Sequence, residues 1–149
     1  MIRLRNYSEK DLDRHLDLFL MNDIKVNKNV RKQEEKWLKK VIRNNKKVKP
    51  LFYTSAIIVD RKLIGNVIAE KISKNKLHIG FWIGKDYWNK GYSTKALGMF
   101  LRKIIKKFKI KKIYAETKKN NFGSRKVLEK NEFVLLAIKN GMCEFVKET

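Results

Sequence analysis

The chain reads as an α+β fold: a mixed, mostly antiparallel sheet of about seven strands with four helices. Three observations lead there. Between Phe52 and Ile83 three apolar runs are separated by short polar turns, the pattern of an antiparallel meander. From Leu77 to Thr117 strand, helix and strand follow one another, and such a crossover lays its two strands parallel. Near the end, Asn140-Gly141 stands between two apolar runs, a strong two-residue hairpin signal.

Taken in order, Ile2 to Leu4 alternates like a short strand. Ser8 with Asp11 resembles a capping box, and Leu12, Leu16 and Phe19 then follow at helical spacing. A second helix covers Val30 to Asn44, with Val30, Trp37, Leu38, Val41 and Ile42 on one side. After Pro50, Phe52 to Val59 is a strand, Asp60-Arg61-Lys62 a turn, and Leu63 to Ile72 a second strand. Ser73 to Lys76 turns into the strand Leu77 to Ile83. The helix from Thr94 turns Leu97, Phe100, Leu101, Ile104, Ile105 and Phe108 inward. Its outer side carries Lys95, Arg102, Lys103, Lys106 and Lys107. Ile113 to Thr117 is a strand and Phe122 to Lys130 a helix. Phe133 to Ile138 and Met142 to Val146 form the closing hairpin.

Composition sets bounds. The 149 residues suit one domain over 1–149, and 43% hydrophobic content points to a packed core. No apolar run approaches the roughly 20 residues of a membrane span. Met1-Ile2-Arg3-Leu4-Arg5 lacks the apolar stretch of a signal peptide. The expectation is a soluble, cytoplasmic protein. One cysteine and two histidines argue against a disulfide and against a metal site. The net charge of +22 has two readings. One is an anionic partner such as a ribosome, RNA or a polyphosphate. The other is a lysine-rich composition spread over every surface. A polycationic substrate is disfavoured either way, because the protein's field would repel it.

The most informative stretch is Trp88-Asn89-Lys90-Gly91-Tyr92-Ser93-Thr94, between a strand and a helix. Unbonded N–H groups at a helix start favour an anion, and a glycine there lets backbone approach it closely. Ser93 and Thr94 are expected to cap the helix or add hydroxyl contacts.

The run Ile79-Gly80-Phe81-Trp82-Ile83, with Tyr87 to Leu97 after it, resembles the central motif of the GNAT N-acetyltransferases. It looks closest to their ribosomal-protein N-terminal acetyltransferase branch. Ile113-Tyr114-Ala115-Glu116, then Asn120-Asn121 through Ser124 to Val127-Leu128-Glu129-Lys130, resembles the next motif. The resemblance spans essentially the whole chain. It departs in four places. Trp88 and Ser93 hold the ends of the usual Gln/Arg-x-x-Gly-x-Gly/Ala turn. Leu128 stands where many relatives have a tyrosine acid, and Glu132 where a glycine precedes the phenylalanine.

The resemblance implies acetyl-CoA as cosubstrate, no metal, and an amine acceptor. It implies that the central parallel strands splay and that Phe81, Trp82 and Ile83 pair with the pantetheine arm. Trp88 to Thr94 would hold the pyrophosphate, with charge from Lys90 and Lys95. Asn121 would bond the arm, and Arg125 or Lys126 would reach the 3′-phosphate. An oxyanion would meet a strand N–H near Ile83.

The acceptor must be neutral to attack. An α-amine of pKa near 8 is neutral about one time in ten at pH 7, whereas a lysine, near 10.4, is neutral about once in 2,500. Glu116, His78 and Glu70 are the candidate bases, Glu116 by its match to the strand glutamate of some relatives. With Leu128 unable to donate a proton, Ser124 is the candidate acid; its alternative role is helix capping. Cys143 reads as a buried strand residue. Trp37, Tyr53, Phe81 and Trp82 are either core or acceptor-pocket wall. The acceptor is expected to be a protein or peptide amine, with ribosome proximity suggested by charge. The alternatives are a small-molecule amine, or a basic RNA- or ribosome-binding module with a degenerate pocket. The oligomeric state stays open.

Overall fold

The computed structural model describes residues 1–149. β1 (Ile2–Arg5) leads through a 3₁₀ turn into α1 (Leu12–Met21) and α2 (Lys28–Asn45). β2 (Phe52–Val59), β3 (Lys62–Ser73) and β4 (Lys76–Ile83) form the meander. A loop joins β4 to α3 (Tyr92–Phe108), followed by β5 (Lys112–Lys118) and α4 (Phe122–Lys130). β6 (Val134–Lys139) and β7 (Met142–Glu148) close the chain. All seven strands join one sheet in the order β1-β2-β3-β4-β5-β7-β6. Only β4 and β5 run parallel.

The turns follow their chemistry. Asn140 and Gly141 both have positive φ (50° and 75°), as the two-residue hairpin turn requires. Asp60-Arg61 does the same between β2 and β3 (48° and 69°), so Lys62 already belongs to the strand.

Alternation along the strands divides the core. On one face Val67, Ile79, Ile83, Ile113 and Phe145 pack against Leu97, Phe100 and Ile104 of α3 and Leu128 of α4. On the other, Ala56, Ile58 and Leu63 meet Leu18 of α1 and Leu38 and Val41 of α2. The aromatic set divides with them. Tyr53 lies near Phe100 and Phe108 on the α3 side, where Phe81 also packs. Trp37 and Trp82 join a cluster around buried His15 on the other side. No helix is long and apolar enough to cross a membrane.

The capping box at the start of the 3₁₀ turn doubles as an ion pair. Asp11 Oδ2 accepts from the Ser8 N–H (2.8 Å), and the carboxylate takes a bidentate contact from Arg5 (2.7 and 2.8 Å). Burial pushes this carboxyl up, but Arg5 and the Ser8 N–H outweigh it and hold it below its ordinary value. A depressed folded-state pKa adds stability above the unfolded value of about 3.9 and loses it as pH falls through the folded value. Asp11→Asn is therefore expected to cost about 2 kcal/mol at pH 7, with the difference shrinking toward pH 3. Urea melts at the two pH values check this.

Glu132 explains one departure from the family pattern. Its φ is +67°, a conformation that glycine adopts freely and a Cβ makes costly. Glu132→Gly is expected to raise stability by up to about 1 kcal/mol, because the exposed ion pair it gives up with Lys147 contributes little. A drop in melting temperature would contradict this.

Candidate active site

The loop from β4 to α3 is built to present backbone donors. Lys85–Tyr87 makes a 3₁₀ turn, and the Trp88 N–H returns to the Lys85 carbonyl. Beyond it, no N–H from Asn89 through Thr94 has an acceptor within the protein; the first helical bond is Lys95 N–H to the Gly91 carbonyl (3.2 Å). Asn89 and Gly91 both have positive φ (60° and 80°). Such alternation of left- and right-handed residues gathers successive N–H groups into an anion-binding concavity, here at the positive end of a 17-residue helix. Ser93 and Thr94 do not cap α3, contrary to the expectation. Gly91 is the N-cap, and no side chain bonds the first turn. Lys90 and Lys95 are exposed beside the loop, Lys90 with its Nζ 6.0 Å from the Tyr87 ring centroid. Tyr92 is half-buried, 6.4 Å from Tyr87 ring to ring.

The loop is pinned by Trp88 and by three residues that sequence gave no reason to select, Asn22, Arg14 and Asn131. Asn22, just past α1, donates from Nδ2 to the Ile83 carbonyl (3.0 Å) and accepts from the Lys85 N–H (2.6 Å). The Trp88 indole N–H also reaches the Ile83 carbonyl (3.1 Å), so this side chain seals the end of β4. Arg14 bonds the Leu63 carbonyl and the Tyr87 hydroxyl. Asn131 bonds the Thr94 carbonyl (3.1 Å), fastening α4 to the first turn of α3. Apart from the local Trp88 contact, these bonds join residues far apart in the chain, and no local pattern signals them.

Next to the loop the central strands part. β4 pairs with β5 only from Lys76/Lys112 to Ile79/Ala115. Beyond that, β4 stays with β3 up to Ile83, and β5 stays with β7 up to Lys118. The wedge between them opens toward the loop. The Gly84 N–H bonds the Ile64 carbonyl, and alternation from that pair turns the main-chain groups of Trp82 to β3. Those of Phe81 and Ile83 face the wedge. Of the three residues expected to pair with an arm, two offer backbone there, and the Ile83 carbonyl is already engaged.

The candidate bases lie on one sheet face, the one that α1 and α2 partly cover. Glu70, His78 and Tyr114 form a row across β3, β4 and β5. Glu116 lies one two-residue step along β5, about 7 Å further, where the wedge has opened. It is exposed and has no hydrogen-bond or ion-pair partner. Directly across from it on β7 stands Glu144, which sequence reading passed over. Two adjacent carboxylates make an anionic spot on a strongly basic chain, suited to a protonated amine. His78 is half-buried and Glu70 exposed, each further from the wedge.

α4 supplies the other wall. Asn121 is its N-cap, accepting from the Ser124 N–H (3.2 Å) through Oδ1 while its Nδ2 makes no bond within the protein. Capping therefore belongs to Asn121, and the half-buried Ser124 hydroxyl has no partner. Arg125 bonds the Lys119 carbonyl (2.9 Å) and lies over Phe122, whereas Lys126 is exposed and unpaired. Leu128 is 1% exposed within the core. Cys143 is fully buried.

An amide-lined loop beside a splayed parallel pair sets an anion cradle next to an open strand edge, the arrangement that the resemblance to the GNAT N-acetyltransferases implies. A family model described as "Acetyltransferase (GNAT) domain" matches residues 2–134, and the chain belongs to this family of acetyl-CoA-dependent N-acetyltransferases. No curated protein matches the sequence. Among solved structures, the chain resembles RimL, a ribosomal L7/L12 alpha-N-protein acetyltransferase in complex with coenzyme A. The identity is 15% over 99% of this chain and 93% of that one, with a TM-score of 0.84. It also resembles the ribosomal-protein-S5-alanine acetyltransferase of Vibrio fischeri (19% identity, 99% and 92% coverage, TM-score 0.82). A third is MccE, a microcin C7 self-immunity acetyltransferase in complex with acetyl-CoA and AMP (18% identity, 99% and 92% coverage, TM-score 0.82). At these identities the likeness concerns the fold.

Proposed function

We propose that the enzyme moves acetyl from acetyl-CoA to a protein or peptide amine by direct attack in a ternary complex, with Glu116 as base. The observation that carries this reading is the end of the β4–β5 ladder at Ile79/Ala115, with Glu116 next in line and exposed. The donor's pyrophosphate rests on the free amides of Asn89 to Thr94. Its arm runs into the wedge against Phe81 and Ile83, steadied by the free Nδ2 of Asn121. Lys126 rather than Arg125 meets the 3′-phosphate, since Arg125 already holds the turn before α4.

The acceptor approaches from the Glu116 side. Glu116 draws a proton from the ammonium through a water, and the freed nitrogen attacks the thioester carbonyl. The developing oxyanion faces the Ile83 N–H. As the C–N bond forms and the C–S bond breaks, the Ser124 hydroxyl donates its proton to the departing sulfur and takes up the surplus proton of the nitrogen, leaving a neutral amide and the free CoA thiol. Direct transfer fits Cys143, which is fully buried on the sheet face opposite the one that carries Glu116 and Glu144. The open, doubly acidic surface at Glu116 and Glu144 favours an extended acceptor with a positive terminus. The fold neighbours named for ribosomal-protein acetylation support the same class.

Titration calorimetry tests the donor, with binding below about 100 μM expected. A panel of ribosomal N-terminal peptides against polyamines, aminoglycosides and amino acids tests the acceptor. Turnover confined to small amines would overturn the peptide reading.

A further inference from the structure

A second cavity, of about 360 Å³, lies at the opposite end of α3 from the amide loop. The 17 residues of α3 separate the two by about 25 Å. Its floor is apolar: Tyr53, Ala69, Leu77, Phe108 and Ile110. Its rim is cationic: Lys49, Lys71, Lys74, Lys107 and Lys109. No acidic residue lines it, and none of the five lysines takes part in an ion pair.

One rim ammonium, that of Lys107, faces aromatic rings instead of a carboxylate, as does that of Lys103, which does not line the cavity. Lys107 Nζ lies 5.0 Å from the Tyr53 ring centroid and 5.3 Å from that of Phe108, and Lys103 Nζ lies 5.1 Å from Tyr53. Lysine is common all over this chain. What sets this place apart is that five lysines without a carboxylate partner line a cavity with an apolar floor. An anionic head would relieve their mutual repulsion, and an apolar body would cover the floor. The volume falls in the range of small-molecule sites. A nucleic-acid backbone would meet the rim but leave the floor unused.

We propose that this cavity binds a small amphipathic anion, an aliphatic or aromatic body carrying a carboxylate or an equivalent anionic head. The site is separate from the acetyl-transfer site and does not depend on the reading given for it.

The probes are decanoate, its neutral counterpart decanol, and 8-anilinonaphthalene-1-sulfonate, titrated calorimetrically into the full chain. One-to-one binding is expected, with decanoate at least about tenfold tighter than decanol. The double variant Lys71→Gln, Lys107→Gln is expected to lose at least about tenfold in decanoate affinity while its acetyl-CoA affinity stays unchanged. Four results would overturn the proposal: equal affinity for decanoate and decanol, uptake that does not saturate at one equivalent, an unaffected double variant, or binding of neither anion below about 1 mM. Displacement of decanoate by a single-stranded RNA oligonucleotide would likewise reassign the rim as a nucleic-acid face.

Discussion

Gly91→Val is expected to weaken acetyl-CoA binding by about tenfold to a hundredfold while leaving the melting temperature nearly unchanged. Two facts separate these effects. A Cβ at position 91 would meet no atom within 4 Å, so the fold itself has room. The φ of +80° is another matter, because a β-branched residue there costs about 1–3 kcal/mol. The exposed loop escapes that strain by turning the 90–92 backbone to negative φ, which scatters the amides that now converge. Each 1.36 kcal/mol lost from the anion contact is a factor of ten in affinity. Calorimetry with a parallel thermal melt reads both quantities. An affinity within twofold of the parent would mean that the loop geometry does not hold the donor.

Glu116→Gln is expected to lower kcat by about 10²- to 10³-fold at pH 7 with little change in the KM for acetyl-CoA. The side chain lies on the sheet face opposite the one on which α3 packs, and α3's first turn carries the amides, so donor binding has no reason to respond. The deficit should narrow as the pH rises past the acceptor's own pKa, about 8 for an α-amine, because the amine then needs no base. A glutamate that merely shaped the surface would give a pH-independent loss. An unchanged pH–rate profile with full activity would shift the role to His78 or Glu70. The glutamine is nearly isosteric and exposed, so folding is not in question.

Most of the fold was legible because its signals are local. Alternating runs, an Asn-Gly turn and amphipathic helices need only neighbours along the chain, and their boundaries agree with the structure to within two residues. The start of α3 shows where local rules fail. Ser93 and Thr94 have the composition of caps, yet the helix begins at left-handed Gly91, because the loop trades a side-chain cap for unbonded amides. Asn121 and Ser124 repeat the point in reverse: both looked like ligand or acid candidates, and the asparagine is also the cap.

What stayed hidden was contact between distant residues. Asn22 lies 61 residues from the Ile83 carbonyl it holds, and Asn131 lies 37 from Thr94. Glu144 becomes a neighbour of Glu116 only through the β5–β7 register. His15 carries no local sign of its place in the core. Its Nε2 lies 2.9 Å from Glu34 Oε1, and its ring stacks on Trp37. Trp82 was read correctly as a residue of β4. Which of its neighbours turns backbone toward the wedge depends on the β3–β4 register, continued by the Gly84 to Ile64 bond, which no composition encodes.

On the proposed reading, the free amides of the β4–α3 loop and the backbone edge of β4 beside them hold the acetyl donor. Amide-resolved NMR during an acetyl-CoA titration tests it most directly. The largest saturable shifts are predicted for Gly91 to Thr94 and for Phe81 and Ile83, with Lys49 to Tyr53 at the far end of α3 unmoved. Shifts centred elsewhere, or none at about 100 μM donor, would contradict it.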